Sequence, residues 1–172
     1  LVLVLAHHTR LKRAVIYPER IGVLTLRMPL RPPSDVLYRI KRGLSGYVSY
    51  LAACEMNESF SEYILYEPTL RILTARGFTV HCESPCPGFS REGPGDVKKL
   101  DFVATGNNAH FAIEMKWART SRLNVEPDIE KLKRFRSANP GALGFLCVFG
   151  KKSSLHQLLL RPGGLRERGA AV

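Results

Sequence analysis

The chain of 172 residues is predicted to be an α/β layered domain with a central mixed four-stranded sheet flanked by helices. Three observations predict it. An apolar stripe at helical spacing precedes three strand-like segments joined only by loops and turns, which favours antiparallel neighbours. A further helical segment then leads into Leu143 to Phe149, an almost wholly apolar run that suits a strand buried on both faces. A strand reached through a crossing helix is expected to run parallel to one of the others.

The elements follow in order. Residues 1 to 5 read Leu-Val-Leu-Val-Leu, and Arg10, Lys12 and Arg13 come after them, the reverse of a secretory signal. The first residue is Leu and the first methionine is Met28. Residues 1–33 are therefore expected to be an appendage, either upstream of a natural start or a short hairpin of Ala14 to Ile16 with Ile21 to Leu26. Ser34 or Asp35 can cap a helix whose stripe is Leu37, Ile40, Leu44, Tyr47 and Leu51, weakened by Gly43 and Gly46. A second helix is expected from Asn57 to about Arg76, kinked or divided at Pro68 and ended by Gly77. Phe78 to Glu83, Leu100 to Thr105 and His110 to Trp117 read as strands, with loop residues 84–97 after the first and a turn at Gly106-Asn107-Asn108 after the second. Pro127 opens a helix to about Ser137, and Asn139-Pro140-Gly141 breaks it. Ser153 to Leu160 is expected to be a short helix, and residues 161–172 a disordered tail. A single domain thus covers residues 34–160, with its core at about 57–150.

Charge narrows the partner. With 26 Lys+Arg against 15 Asp+Glu the net charge is +11, which points to a polyanion, most simply DNA. The excess lies in the flanks, while acidic residues outnumber basic ones between residues 44 and 118. No apolar run reaches the ~18 residues of a membrane span, so no membrane partner is expected. Four cysteines are too few for a disulfide scaffold, and a reducing, cytoplasmic setting is expected. Cys82, Cys86 and His81 lack a second Cys/His pair at finger spacing, and no phosphate-binding GxxxxGK[ST] loop is present.

The chemistry concentrates in two strands. In His110 to Trp117, Ala112, Glu114 and Lys116 share one face, and Phe111, Ile113, Met115 and Trp117 the other. Asp101 stands between Leu100 and Phe102, another carboxylate inside an apolar strand. An antiparallel turn at 106–108 would bring Asp101 and Glu114 together, with their oxygens converging on one point and the Lys116 ammonium beside it. Asp101 and Glu114 are hard oxygen ligands for Mg²⁺ or Mn²⁺, and the main-chain carbonyl of Met115 could add another. Lys116 could orient water or stabilise charge at phosphorus. A buried ion pair with a purely structural role would use the same residues.

Asp101, twelve intervening residues, then Glu114-Met115-Lys116 resembles the PD-(D/E)XK nuclease superfamily, the restriction-endonuclease-like fold. Leu100 replaces the proline of that pattern. The resemblance implies an αβββαβ core, a Mg²⁺ or Mn²⁺ cofactor and hydrolysis of DNA phosphodiesters by an endonuclease, with a non-catalytic DNA-binding module as the alternative; a homodimer is a separate expectation. It also implies an acidic residue from the first core helix. On one continuous helix Glu62 falls within the apolar stripe and Glu67 about 140° away, so Glu62 is preferred. Glu83 is a further candidate. Lys98, Lys99, Arg119, Arg122 and Lys131 are expected to hold phosphates. Asp128, Lys131 and Lys133 could instead support the site or form a solvated helix face.

Overall fold

The computed structural model describes residues 2–7, 12–15, 34–56, 60–89, 97–119, 123–150 and 155. Helix α1 spans Ser34–Ala53 and buries Val36, Ile40, Leu44 and Leu51, spaced as the stripe requires. Its partner, α2, spans Tyr66–Ala75 after a 3₁₀ turn at Tyr63–Leu65. The expected helix from Asn57 is thus corrected: Asn57 lies outside the described residues, and the α-helix begins only at Tyr66. Pro68 is the reason. It has no N–H to donate, so it fits the first turn, where donors lack an intrahelical partner, and not a helix interior. A Cβ on Gly43 would stand 2.8 Å from Ile72 Cδ1, so the bare α-carbon of α1 lets α2 come close.

Gly77, at φ +79°, ends α2. The Phe78 N–H returns to the Leu73 carbonyl and the Gly77 N–H to Thr74, a Schellman closure. Strands β3 (Thr79–Pro85), β4 (Lys99–Gly106) and β5 (Ala109–Ala118) follow, each antiparallel to the next. Asn107 and Asn108 both have positive φ between the paired Gly106 and Ala109, as a two-residue type I′ hairpin needs. Helix α3 (Glu126–Ala138) crosses to β6 (Leu143–Gly150), which lies parallel to β5.

The sheet is larger than expected. Strands β1 (Val2–His7) and β2 (Lys12–Val15) extend it beyond β6, giving six strands in the order β2-β1-β6-β5-β4-β3. The expected appendage at 1–33 therefore supplies two strands, and the hairpin pairs Val4 with Val15. The Ile21 to Leu26 arm expected for it lies outside the described residues. Antiparallel β1 supplies backbone partners along the far side of β6, from Phe149 to Gly144, which would otherwise be an unpaired apolar edge.

Helices α1 and α2 cover one face of the sheet and α3 the other. On the first face Phe102, Ala104, Phe111, Ile113, Met115, Phe145, Cys147 and Phe149 meet Ile40, Leu44 and Leu73. On the second, Leu100, Ala112, Leu146 and Val148 meet Leu132 and Phe135. Alternate residues of β6 thus reach both cores, which is why its sequence shows no polar period. Leu155, the described residue of the expected 153–160 helix, is helical and buried in the second core.

Candidate active site

A fork in the sheet builds the site. The β4–β5 ladder runs from Gly106–Ala109 to Phe102–Ile113 and stops. On the outer sides pairing continues, to Pro85–Lys99 between β3 and β4 and to Ala118–Gly150 between β5 and β6. Strands β4 and β5 therefore part at the level of Asp101 and Glu114. Parting strands leave backbone donors unpaired, and a buried unpaired N–H costs about 1–3 kcal/mol. Here carboxylates take them. The Met115 N–H donates to Asp101 Oδ2 at 2.6 Å, and the Trp117 N–H donates to Glu62 Oε1 at 3.1 Å. A residue's N–H and C=O point the same way across a strand, so the Met115 carbonyl faces the same fork.

Asp101 is held from two sides. The Tyr66 hydroxyl, at the start of α2, donates to Asp101 Oδ1 at 2.5 Å and also to Glu83 Oε1 at 3.1 Å. Glu83 stands at φ +52°, an uncommon conformation for a side-chain-bearing residue, between the Cys82–Phe102 and Ser84–Leu100 pairs. Burial pushes the Asp101 carboxyl above its usual range, although the hydrogen bonds from Tyr66 and Met115 pull it back. Burial and the Asp101 and Glu83 charges also push the Tyr66 hydroxyl upward, so it remains a donor.

Glu114 lies on the α3 side and is almost fully buried. Its Oε2 meets the Lys131 ammonium at 2.5 Å, while Oε1 is buried with no hydrogen-bond partner among the described residues. Burial, then the Asp101 charge, pushes its carboxyl up to about 8, against the pull of Lys131. Lys131 also reaches Asp128 Oδ1 at 3.4 Å and the Lys99 carbonyl at 3.0 Å. Asp128 Oδ2 stands 3.1 Å from the Lys116 ammonium, an ion pair by distance although the angle falls outside that of a hydrogen bond. Charges thus alternate from Glu114 through Lys131 and Asp128 to Lys116. Burial would pull the Lys116 ammonium down, but Asp128 outweighs it and the net shift is upward.

The structure sorts the expected residues. Asp101, Glu114 and Glu62 are placed along the fork, Asp101 and Glu62 as acceptors of the Met115 and Trp117 N–H groups. Lys116 is on the expected face, but its ammonium pairs with Asp128, and the cation at Glu114 is Lys131. Lys131 is accordingly turned inward and only 15% of its side chain is exposed. Glu67 is exposed and paired with Arg71. Glu83 touches the Asp101 hydrogen-bond system through Tyr66. Lys98 stands 4.4 Å over the Phe89 ring, and Lys99 pairs with Glu83 at 3.9 Å, both near the surface. Arg119 is exposed just after β5, and Arg122 lies outside the described residues. Tyr66 was not legible as a site residue: a tyrosine before Glu-Pro reads as an ordinary helix start, and nothing in its spacing points to a residue 35 positions away.

The donors along the fork are of the chemical type that a hard divalent cation takes. Asp101, Glu114, Glu62 and the Met115 carbonyl all offer oxygen, and Oε1 of Glu114 is a buried lone-pair site with no donor to it among the described residues. The expected convergence is looser than a cage: among the described residues no three Asp, Glu, His or Cys side chains gather closely enough to hold a metal. No helix among the described residues is long and apolar enough to cross a membrane. The chain matches no family model, no curated protein and no solved structure.

Proposed function

We propose that the chain is a Mg²⁺- or Mn²⁺-dependent endonuclease of the PD-(D/E)XK type, hydrolysing DNA phosphodiester bonds at the β4–β5 fork. One observation carries the proposal. Where β4 and β5 part, Asp101 and Glu114 are both desolvated, the Asp101 charge is felt by Glu114, and one Glu114 oxygen has no hydrogen-bond partner among the described residues. Buried carboxylates are kept only when paired or bound to a cation, and Lys131 meets one Glu114 oxygen and leaves the other bare. Asp101, Glu114 and the Met115 carbonyl would hold the ion, with Glu62 beside them. Bound there, it would neutralise phosphate charge and make a water more acidic.

The chain's own groups do the rest. Tyr66 and the Met115 N–H fix the Asp101 carboxylate by both oxygens, so its direction is set before any ligand arrives. Lys116 and Lys131 place positive charge where a phosphate would gain negative charge during attack. Water oxygen bonds to phosphorus, the bond from phosphorus to the departing sugar oxygen breaks, and the water proton is lost as the leaving oxygen gains one. The basic flanks supply contacts to the phosphate backbone.

The alternative is a non-catalytic DNA-binding module. The observation favouring it is the charge chain itself, because Lys131 and Asp128 already satisfy much of the charge that a cation would meet. Incubation of plasmid, linear and single-stranded DNA with and without Mg²⁺ or Mn²⁺ separates the two. Metal-dependent cutting that a chelator stops is the expected result. DNA binding with no cutting under any divalent ion would make the module the better reading.

A further inference from the structure

Asp128 is third in α3, and its carboxylate is buried between two ammonium groups carried by different elements. Oδ2 stands 3.1 Å from Lys116 on β5, and Oδ1 stands 3.4 Å from Lys131, one turn further along α3. Lys131 in turn holds Glu114 at 2.5 Å. A buried carboxylate is kept only with counter-charges at hand, and breaking such a cluster at one member leaves the others uncompensated. Lysine carries four rotatable bonds, so an ammonium without a fixed acceptor has no fixed position. The first turn of α3 therefore decides where both ammonium groups stand relative to the fork.

We propose that Asp128 is the positioning residue of the site: it fixes Lys116, and holds Lys131 between itself and Glu114, so that positive charge stands at a set place beside the fork. The inference rests on the nuclease reading and adds to it a residue that the Asp101, Glu114, Lys116 motif does not contain. Asp128 touches neither phosphate nor metal in this scheme and acts through the two lysines. Glu130, also on α3, is exposed and paired with Arg134 instead, so it serves as the control.

A double-mutant cycle with Lys116 tests it. Asp128→Asn should lower kcat by about 10–100-fold, the usual cost of losing an outer-shell orienting group. The KM for DNA and the Mn²⁺ dissociation constant, measured by calorimetry on the same protein, should each stay within about threefold. Asp128→Asn added to Lys116→Met should cost less than Asp128→Asn does alone, because part of the carboxylate's effect passes through that ammonium and the rest through Lys131. Asp128→Glu should recover part of kcat, and Glu130→Gln should match wild type. In ¹⁵N-detected spectra the Lys116 ammonium signal should be visible in wild type and lost in Asp128→Asn.

Additive losses in the cycle, or wild-type kcat in Asp128→Asn, would overturn the proposal. If Asp128→Asn does not fold, Asp128→Glu carries the test: it keeps the charge and moves it by one methylene, so kcat must fall while Mn²⁺ affinity holds. A wild-type protein that cuts no DNA with any divalent ion would remove the nuclease reading and this inference with it. That outcome is distinct from an active wild type whose Asp128 variants are unimpaired.

Discussion

The Met115 N–H donates to the Asp101 carboxylate at 2.6 Å, at the point where an uninterrupted ladder would present the Leu100 carbonyl. A side chain has thus replaced backbone as the partner of a central strand. The replacement satisfies the donor that the fork exposes, and it fixes the carboxylate that the fork would use. Glu62 does the same one step along, at the Trp117 N–H. Structure and chemistry are joined here, since closing the fork would remove the site and removing the carboxylates would strand two backbone donors.

Asp101→Asn should therefore affect metal and fold differently. The amide keeps one oxygen to accept from Met115 or Tyr66, and it ends the cost of a desolvated charge. Thermal unfolding should occur at the wild-type temperature or slightly above it. Mn²⁺ affinity by calorimetry should fall, and cleavage should drop by about 10²–10³-fold, the range for loss of one preorganised electrostatic group.

Glu114 sets the pH dependence. In the folded, metal-free protein its carboxyl is pushed up to about 8 from an ordinary value of 4.5. Between those two values the folded chain keeps a proton that the unfolded chain has lost. The stabilisation from this group is complete below the lower value and is lost as pH rises to the upper one. Melting temperature should accordingly show a declining contribution across that window, which Glu114→Gln removes. Mn²⁺ must displace the same proton, so its apparent affinity should rise by up to about tenfold per pH unit and level off above about pH 8.

Glu62 and Glu67 give a paired test. Glu62→Gln changes the group that receives the Trp117 N–H beside the fork, and should lower cleavage while leaving the fold in place. Glu67 is exposed and paired with Arg71 on its own helix, so Glu67→Gln should change stability by no more than about 0.5 kcal/mol and leave cleavage unaltered. Equal loss in both variants would move the site to the outer face of α2.

DNA affinity should fall steeply with salt, with a log–log slope of about −0.9 for each phosphate neutralised. Lys98→Ala combined with Lys99→Ala should flatten that slope by up to about 0.9 for each phosphate no longer neutralised, measured by fluorescence anisotropy across a salt series. An affinity that ignores salt would give the +11 charge another purpose.

Local sequence signals specify the four strands from Thr79 to Gly150, a turn at Asn107-Asn108 and the face shared by Glu114 and Lys116. Strand periodicity, positive-φ turn residues and a wholly apolar run are local signals, and side-chain alternation follows from the backbone alone. The sequence misplaced the start of α2, because the stripe through Glu62 continued across a segment that Pro68 keeps from joining the helix interior. It also carried no sign that residues 2–15 would complete the sheet, since an edge is visible only once β6 has been placed. Tertiary structure decided the site's detail. Only the parting of β4 and β5 shows that Asp101 and Glu62 cap β5 donors, and only the docking of α3 shows that Lys131 meets Glu114 while Lys116 meets Asp128. These are contacts between elements distant in the chain. Their partners are chosen by packing geometry and by the cost of leaving a buried charge or donor alone, which no spacing within a single element records.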